Sequence, residues 1–65
     1  MIKVNLTNYS DNELNLIVMN DIDYYDKIDN PKLLLETLYQ DFIYTDKQLK
    51  VLIDAMREDY EDYNE

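Results

Sequence analysis

Apolar residues recur at helical spacing through the second half of the chain. Leu34, Leu35, Leu38, Tyr39 and Phe42 fall on one face of a helix. Asn30 followed by Pro31 marks its start: the amide side chain serves as N-cap, and proline occupies the first helical position, where a missing N–H is harmless. Leu49, Leu52, Ile53, Met56, Tyr60 and Tyr63 form a second stripe, spaced by one, three or four residues. Thr45 and Gln48 open it with the two ends of a capping box. The pattern predicts helices over 31–43 and 46–62, and the short connection makes them an antiparallel hairpin.

The first half is mixed. Ser10 and Glu13 form another capping-box pair, and Leu14, Ile17, Val18, Ile22 and Tyr25 share one helical face. "LNLIVMN" also alternates as a strand would, but the cap decides for a helix over 11–26, with a break point at Asn20. "IKVNL" alternates with period two and should be extended. A lone strand leaves backbone groups unpaired. It must therefore pair with 14–19, lie along the helices, or pair with its copy in a dimer. With no glycine in the chain, any turn that needs positive φ falls to Asn or Asp, and Asn8, Asn20 and Asn30 stand where breaks are expected. The fold expected is mainly α: a three-helix domain with an extended N-terminal segment and a C-terminal helical hairpin.

Size changes the picture first. A chain of 65 residues is a single small domain, 1–65. Domains this small bury only roughly 60% of their unfolded surface. With no cysteine there is no disulfide staple, and with no histidine the usual zinc ligands are missing. Oligomerisation is the remaining way to enlarge the core, so a homodimer is one expectation. No apolar run approaches a membrane span, and "MIKVNLTNYS" lacks a signal-peptide pattern, which points to a cytoplasmic protein.

Charge changes it again. Fifteen acids against six bases give −9, the wrong sign for contact with a phosphate backbone or an anionic membrane. "DIDYYDKID" at 21–29 invites a calcium reading. Counted from Asp21, however, an EF-hand loop would have Asp26 at its glycine position and Lys32 at its glutamate position. The match fails, and no metal or other cofactor is expected. Without His or Cys, Ser-His and Cys-His catalysis are excluded. Paired-carboxylate catalysis needs a water-excluding cleft that so short a chain can hardly build. The protein is expected to be a non-enzyme with no catalytic residue.

The last ten residues, "MREDYEDYNE", carry the one unusual arrangement. Glu58, Asp59, Glu61, Asp62 and Glu65 crowd a helix C-terminus beside a single base, Arg57. The helix dipole repels acids there. Asp54 with Glu58, and Glu58 with Asp62, are like-charge pairs at i,i+4, each unfavourable by a few tenths of a kcal/mol. Either the tail frays and serves solubility, or the charge is kept for a partner. Carboxylates interleaved with tyrosine across "EDYEDY" match, in charge and contact chemistry, phosphates with rings between them. Such a strip complements the basic groove of a protein that handles nucleic acid. The partner-binding candidates are Asp54, Glu58, Asp59, Tyr60, Glu61, Asp62 and Tyr63, with Tyr24, Asp26 and Asp29 as a second set. Burial should claim most of the seven tyrosines and leave two or three for contact.

In size, acidity, absence of catalytic residues and an Asn/Ile/Lys/Tyr-rich vocabulary, the chain resembles the small acidic proteins by which bacteriophages and mobile elements inhibit host defence. Anti-CRISPR proteins and DNA-mimic inhibitors of restriction enzymes or DNA glycosylases make up that class. The resemblance implies a non-catalytic inhibitor acting on a basic host protein in the host cytoplasm. It transfers no site residue by residue. The other class of function is a small regulatory or antitoxin-like interaction subunit.

Overall fold

Five elements follow in the order β1 (Val4–Asn5), α1 (Asp11–Asp21), α2 (Pro31–Asp41), β2 (Phe42–Ile43) and α3 (Asp46–Tyr63). The computed structural model describes residues 2–63. The molecule is mainly helical, with one short N-terminal strand.

Each helix starts where a side chain can satisfy its free N–H groups. Ser10 caps α1 in a complete capping box with Glu13. Asn30 caps α2, accepting from Leu33 N–H at 3.3 Å, with Pro31 at the first position. Thr45 and Gln48 form the box of α3: Gln48 N–H donates to Thr45 Oγ1 at 3.1 Å, and Thr45 N–H donates to Gln48 Oε1 at 3.0 Å. The ends are made without glycine. Ile22 (φ −119°, ψ 121°) and Phe42 (φ −135°, ψ 150°) turn extended after α1 and α2, and no described residue has positive φ.

Two boundaries differ from the sequence expectation. The helix predicted over 11–26 stops at Asp21, and Asn20 sits inside it. The helix predicted over 31–43 stops at Asp41 because Phe42 and Ile43 pair as a strand. That pairing also places the N-terminal segment, in none of the three ways the sequence left open. β1 lies parallel to β2, with Val4 opposite Phe42 and Asn5 opposite Ile43. A parallel pair cannot be joined by a tight turn. Here α1 and α2 form the crossover.

A second link fixes the strand. Leu6 N–H donates to Ile43 O at 2.8 Å, and the buried Gln48 amide donates to Leu6 O. Gln48 thus closes its own helix cap and holds the N-terminal segment with one side chain.

The core gathers Leu6, Leu14, Val18, Leu38, Leu52 and Met56, all fully buried, with Ile17, Ile22, Leu34 and Phe42 around them. Tyr9 and Tyr44, each just before a cap, pack half-buried against this core as the staple pattern expects. The main helix–helix contact is α1 on α3. A small pocket between α2 and α3 is lined by Ile28, Pro31, Leu34, Leu35, Ile53 and Arg57, and α3 packs mainly on α1 rather than on α2 as a tight hairpin would.

Candidate partner-binding surface

The second half of α3 separates into two faces. Leu52 and Met56 point into the core and are fully buried. Asp54, Glu58, Glu61 and Asp62 are exposed on the opposite side, within about a 100° arc at 100° per residue. Among the described residues, none of these four carboxylates has a side-chain hydrogen bond or ion pair. The only ion pairs among the described residues are those of Lys27, with Asp23 at 3.9 Å and Asp26 at 3.8 Å. No base occupies the last turn of α3. Of the exposed bases of α3, Lys47 and Lys50 lie near its N-terminus, the reverse of what the dipole favours, and Arg57 alone lies among the acids.

Asp59 differs from its neighbours. It is half-buried and accepts hydrogen bonds from two phenols, Tyr24 OH and Tyr25 OH, the latter at 2.9 Å. Both tyrosines belong to the segment between α1 and α2. That segment turns at 25–29, with Lys27 N–H bonded to Tyr24 O and Asn30 N–H to Lys27 O. Tyr25 then sits at the centre of a ring cluster, its centroid 4.9 Å from Tyr24, 5.6 Å from Tyr60 and 5.3 Å from Tyr63. These separations and the tilted planes are those at which aromatic pairs attract. Asp59 and its ring cluster clamp the middle of the chain to the end of α3.

Burial first, and then the bond to the Asp59 carboxylate, push the Tyr24 hydroxyl well above its ordinary value near 10. The same two causes raise Tyr25. Tyr44 is raised by burial.

Several of the sequence candidates change standing. Tyr24, named for contact, is buried, whereas Tyr25, expected on the core face of a helix, is exposed. The reason is the early end of α1, which frees the adjacent tyrosines from helical phase. Tyr39 and Tyr63, also expected in the core, are 69% and 75% exposed. On α2 the buried line is Leu34 and Leu38, and Tyr39 lies with the exposed Leu35 one residue off it; Tyr63 is the last residue of α3. Tyr60 is half-buried. Three tyrosines are therefore exposed: Tyr25, Tyr39 and Tyr63. Lys3 stands 4.0 Å over the Tyr39 ring. Asp26 and Asp29 are exposed, Asp26 beside Lys27. Glu65 lies outside the described residues.

The Asp59 bonds were missed in the sequence. They join residues 34 and 35 positions apart, and no local spacing announces such a contact. The Tyr24–Tyr25 doublet was the one local signal. Among the described residues no group of acidic side chains is arranged to hold a metal ion, and no helix is long and apolar enough to cross a membrane. Compared with known proteins, the chain matches no family model, no curated protein and no solved structure.

Proposed function

We propose that the protein is a non-catalytic inhibitor that binds a basic surface on a nucleic-acid-handling host protein, in the manner of an anti-CRISPR or DNA-mimic inhibitor. The observation that carries this reading is the set of four unpaired, exposed carboxylates, Asp54, Glu58, Glu61 and Asp62, on one face of α3. Glu61 and Asp62 stand against the helix dipole near the end of α3, Glu58 repels Asp54 and Asp62 at i,i+4, and among the described residues no ion pair offsets this. Tyr63, exposed at the edge of the ring cluster, adds an aromatic contact beside the acids. Asp59 supports this surface from beneath through Tyr24 and Tyr25.

The test is affinity capture from a bacterial host lysate with the wild-type protein and with a Glu58→Gln, Glu61→Gln, Asp62→Asn variant. The wild type should retain a basic nucleic-acid-binding protein, and the variant should release it at lower salt. Equal retention by both at every salt concentration would end the proposal.

A second reading, a small interaction subunit that pairs with its own copy, rests on a different surface. Among the described residues only β2 pairs with β1, which leaves the outer edge of β1 open next to Ile2 (97% exposed) and Val4. Sedimentation at two protein concentrations decides it. A concentration-dependent dimer supports this reading, and a monomer at both removes it.

A further inference from the structure

The acid face borders a groove. Asn15, Val18 and Met19 of α1 form one wall, and Ala55, Glu58, Asp59 and Asp62 of α3 form the other, enclosing about 230 Å³. The two walls differ in kind. Residues 14–20 of α1 carry no charge in a chain where 32% of residues are charged. Their outward side presents Leu16 and Met19, 58% and 65% exposed, between Asn12, Asn15 and Asn20. A face kept only for solubility would not place an exposed methionine across from a row of carboxylates.

We infer that this groove receives a basic amphipathic helix of the partner, with apolar side chains against the exposed Met19 and the half-buried Ala55 and Lys or Arg side chains on Glu58 and Asp62. This rests on the reading above and names the element that the acid face recognises. Glu58 and Asp62 are four residues apart on α3, about 6 Å along its axis. Bases at i and i+4 of a partner helix have the same separation. An amphipathic helix seats its apolar stripe in a groove of this kind, and methionine adapts to varied apolar shapes. The alternatives fit less well. A nucleic acid carries the wrong charge, and so does a second copy of this chain at −9. The volume of about 230 Å³ falls below the ~300 Å³ at which small-molecule pockets begin.

The test uses two labelled synthetic peptides of identical leucine and lysine composition, each about 14 residues long. One spaces its leucines at helical intervals, and the other scatters them. Fluorescence anisotropy should show the amphipathic isomer binding about tenfold more tightly. Met19→Asp, a change at an exposed position, should abolish that preference without affecting folding. Glu58→Gln with Asp62→Asn should weaken the amphipathic isomer more than Glu61→Gln, which lies outside the groove. Equal binding of the two isomers, or a preference that survives Met19→Asp, would overturn the inference. The two levels separate cleanly. If the isomers bind equally while the neutralised variant still loses its lysate partner, only the groove assignment fails. If the neutralised variant keeps its partner, the acid-face reading fails, whatever the peptides do.

Discussion

Replacing Asp59 with Ala removes the acceptor shared by Tyr24 and Tyr25. Tyr24 is buried, and a buried hydroxyl that loses its partner is unfavourable by about 1–3 kcal/mol. Urea unfolding of Asp59→Ala should therefore show a loss of that size, whereas Glu58→Gln should show none. Two adjacent acids, alike in sequence, have separate duties. The tyrosines offer an independent check in alkali. Because the folded state raises the Tyr24 hydroxyl above its ordinary value near 10, the native protein holds that proton more tightly than the unfolded chain does. The contribution to stability is complete below about pH 10 and declines as pH rises further. Tyrosinate absorbance should show a late-titrating fraction that Tyr24→Phe reduces. A single transition near the ordinary value, unchanged in the variant, would count against the clamp. Beyond the Tyr24–Tyr25 doublet nothing in the local sequence pointed to it, because the contact depends on where α1 ends and on a residue far along the chain.

The helix starts were the most legible features. Ser10, Asn30 and Thr45 all cap helices as their spacing predicts, since a cap needs only a side chain three residues from an N–H. The ends were less legible. Phe42 has the right phase to prolong α2, yet it pairs with Val4, and β pairing across 38 positions is decided by tertiary packing rather than by local period. Gln48 is the residue on which this arrangement turns. Its box with Thr45 was visible in the sequence; its bond to Leu6 O was not. Gln48→Leu keeps the bulk but loses both functions; Leu6 O keeps its bond from Tyr9 N–H, so the loss is of one buried hydrogen bond and one cap, about 1–3 kcal/mol together. Ser10→Ala, which removes a cap alone, should cost about 1 kcal/mol. Thermal unfolding of both variants checks the ranking. If Gln48→Leu proved no worse than Ser10→Ala, the link between α3 and the N-terminal strand would be incidental.

At the scale of the whole molecule, a core built on six fully buried side chains carries a net charge of −9. Charge of one sign opposes compaction. The outer face of α3 concentrates that opposition at the helix end least suited to it. Added salt screens such repulsion within about 10 Å at 0.1 M, so stability should rise as salt is added, and rise less in the neutralised variant. The acid face was legible in the sequence, since position along a helix and sign of charge suffice to identify it. Its uncharged neighbour across the groove was not, because which helix packs beside α3 is a property of the fold. If Glu58, Glu61 and Asp62 are kept for a partner and against the interest of the fold, neutralising them leaves the fold no weaker. The urea unfolding midpoint of the Glu58→Gln, Glu61→Gln, Asp62→Asn protein at low salt tests that claim most directly. The midpoint should equal or exceed that of the wild type, with a gain of up to about 1 kcal/mol. A loss of more than about 1 kcal/mol would show that these carboxylates hold the fold together, and would contradict the account.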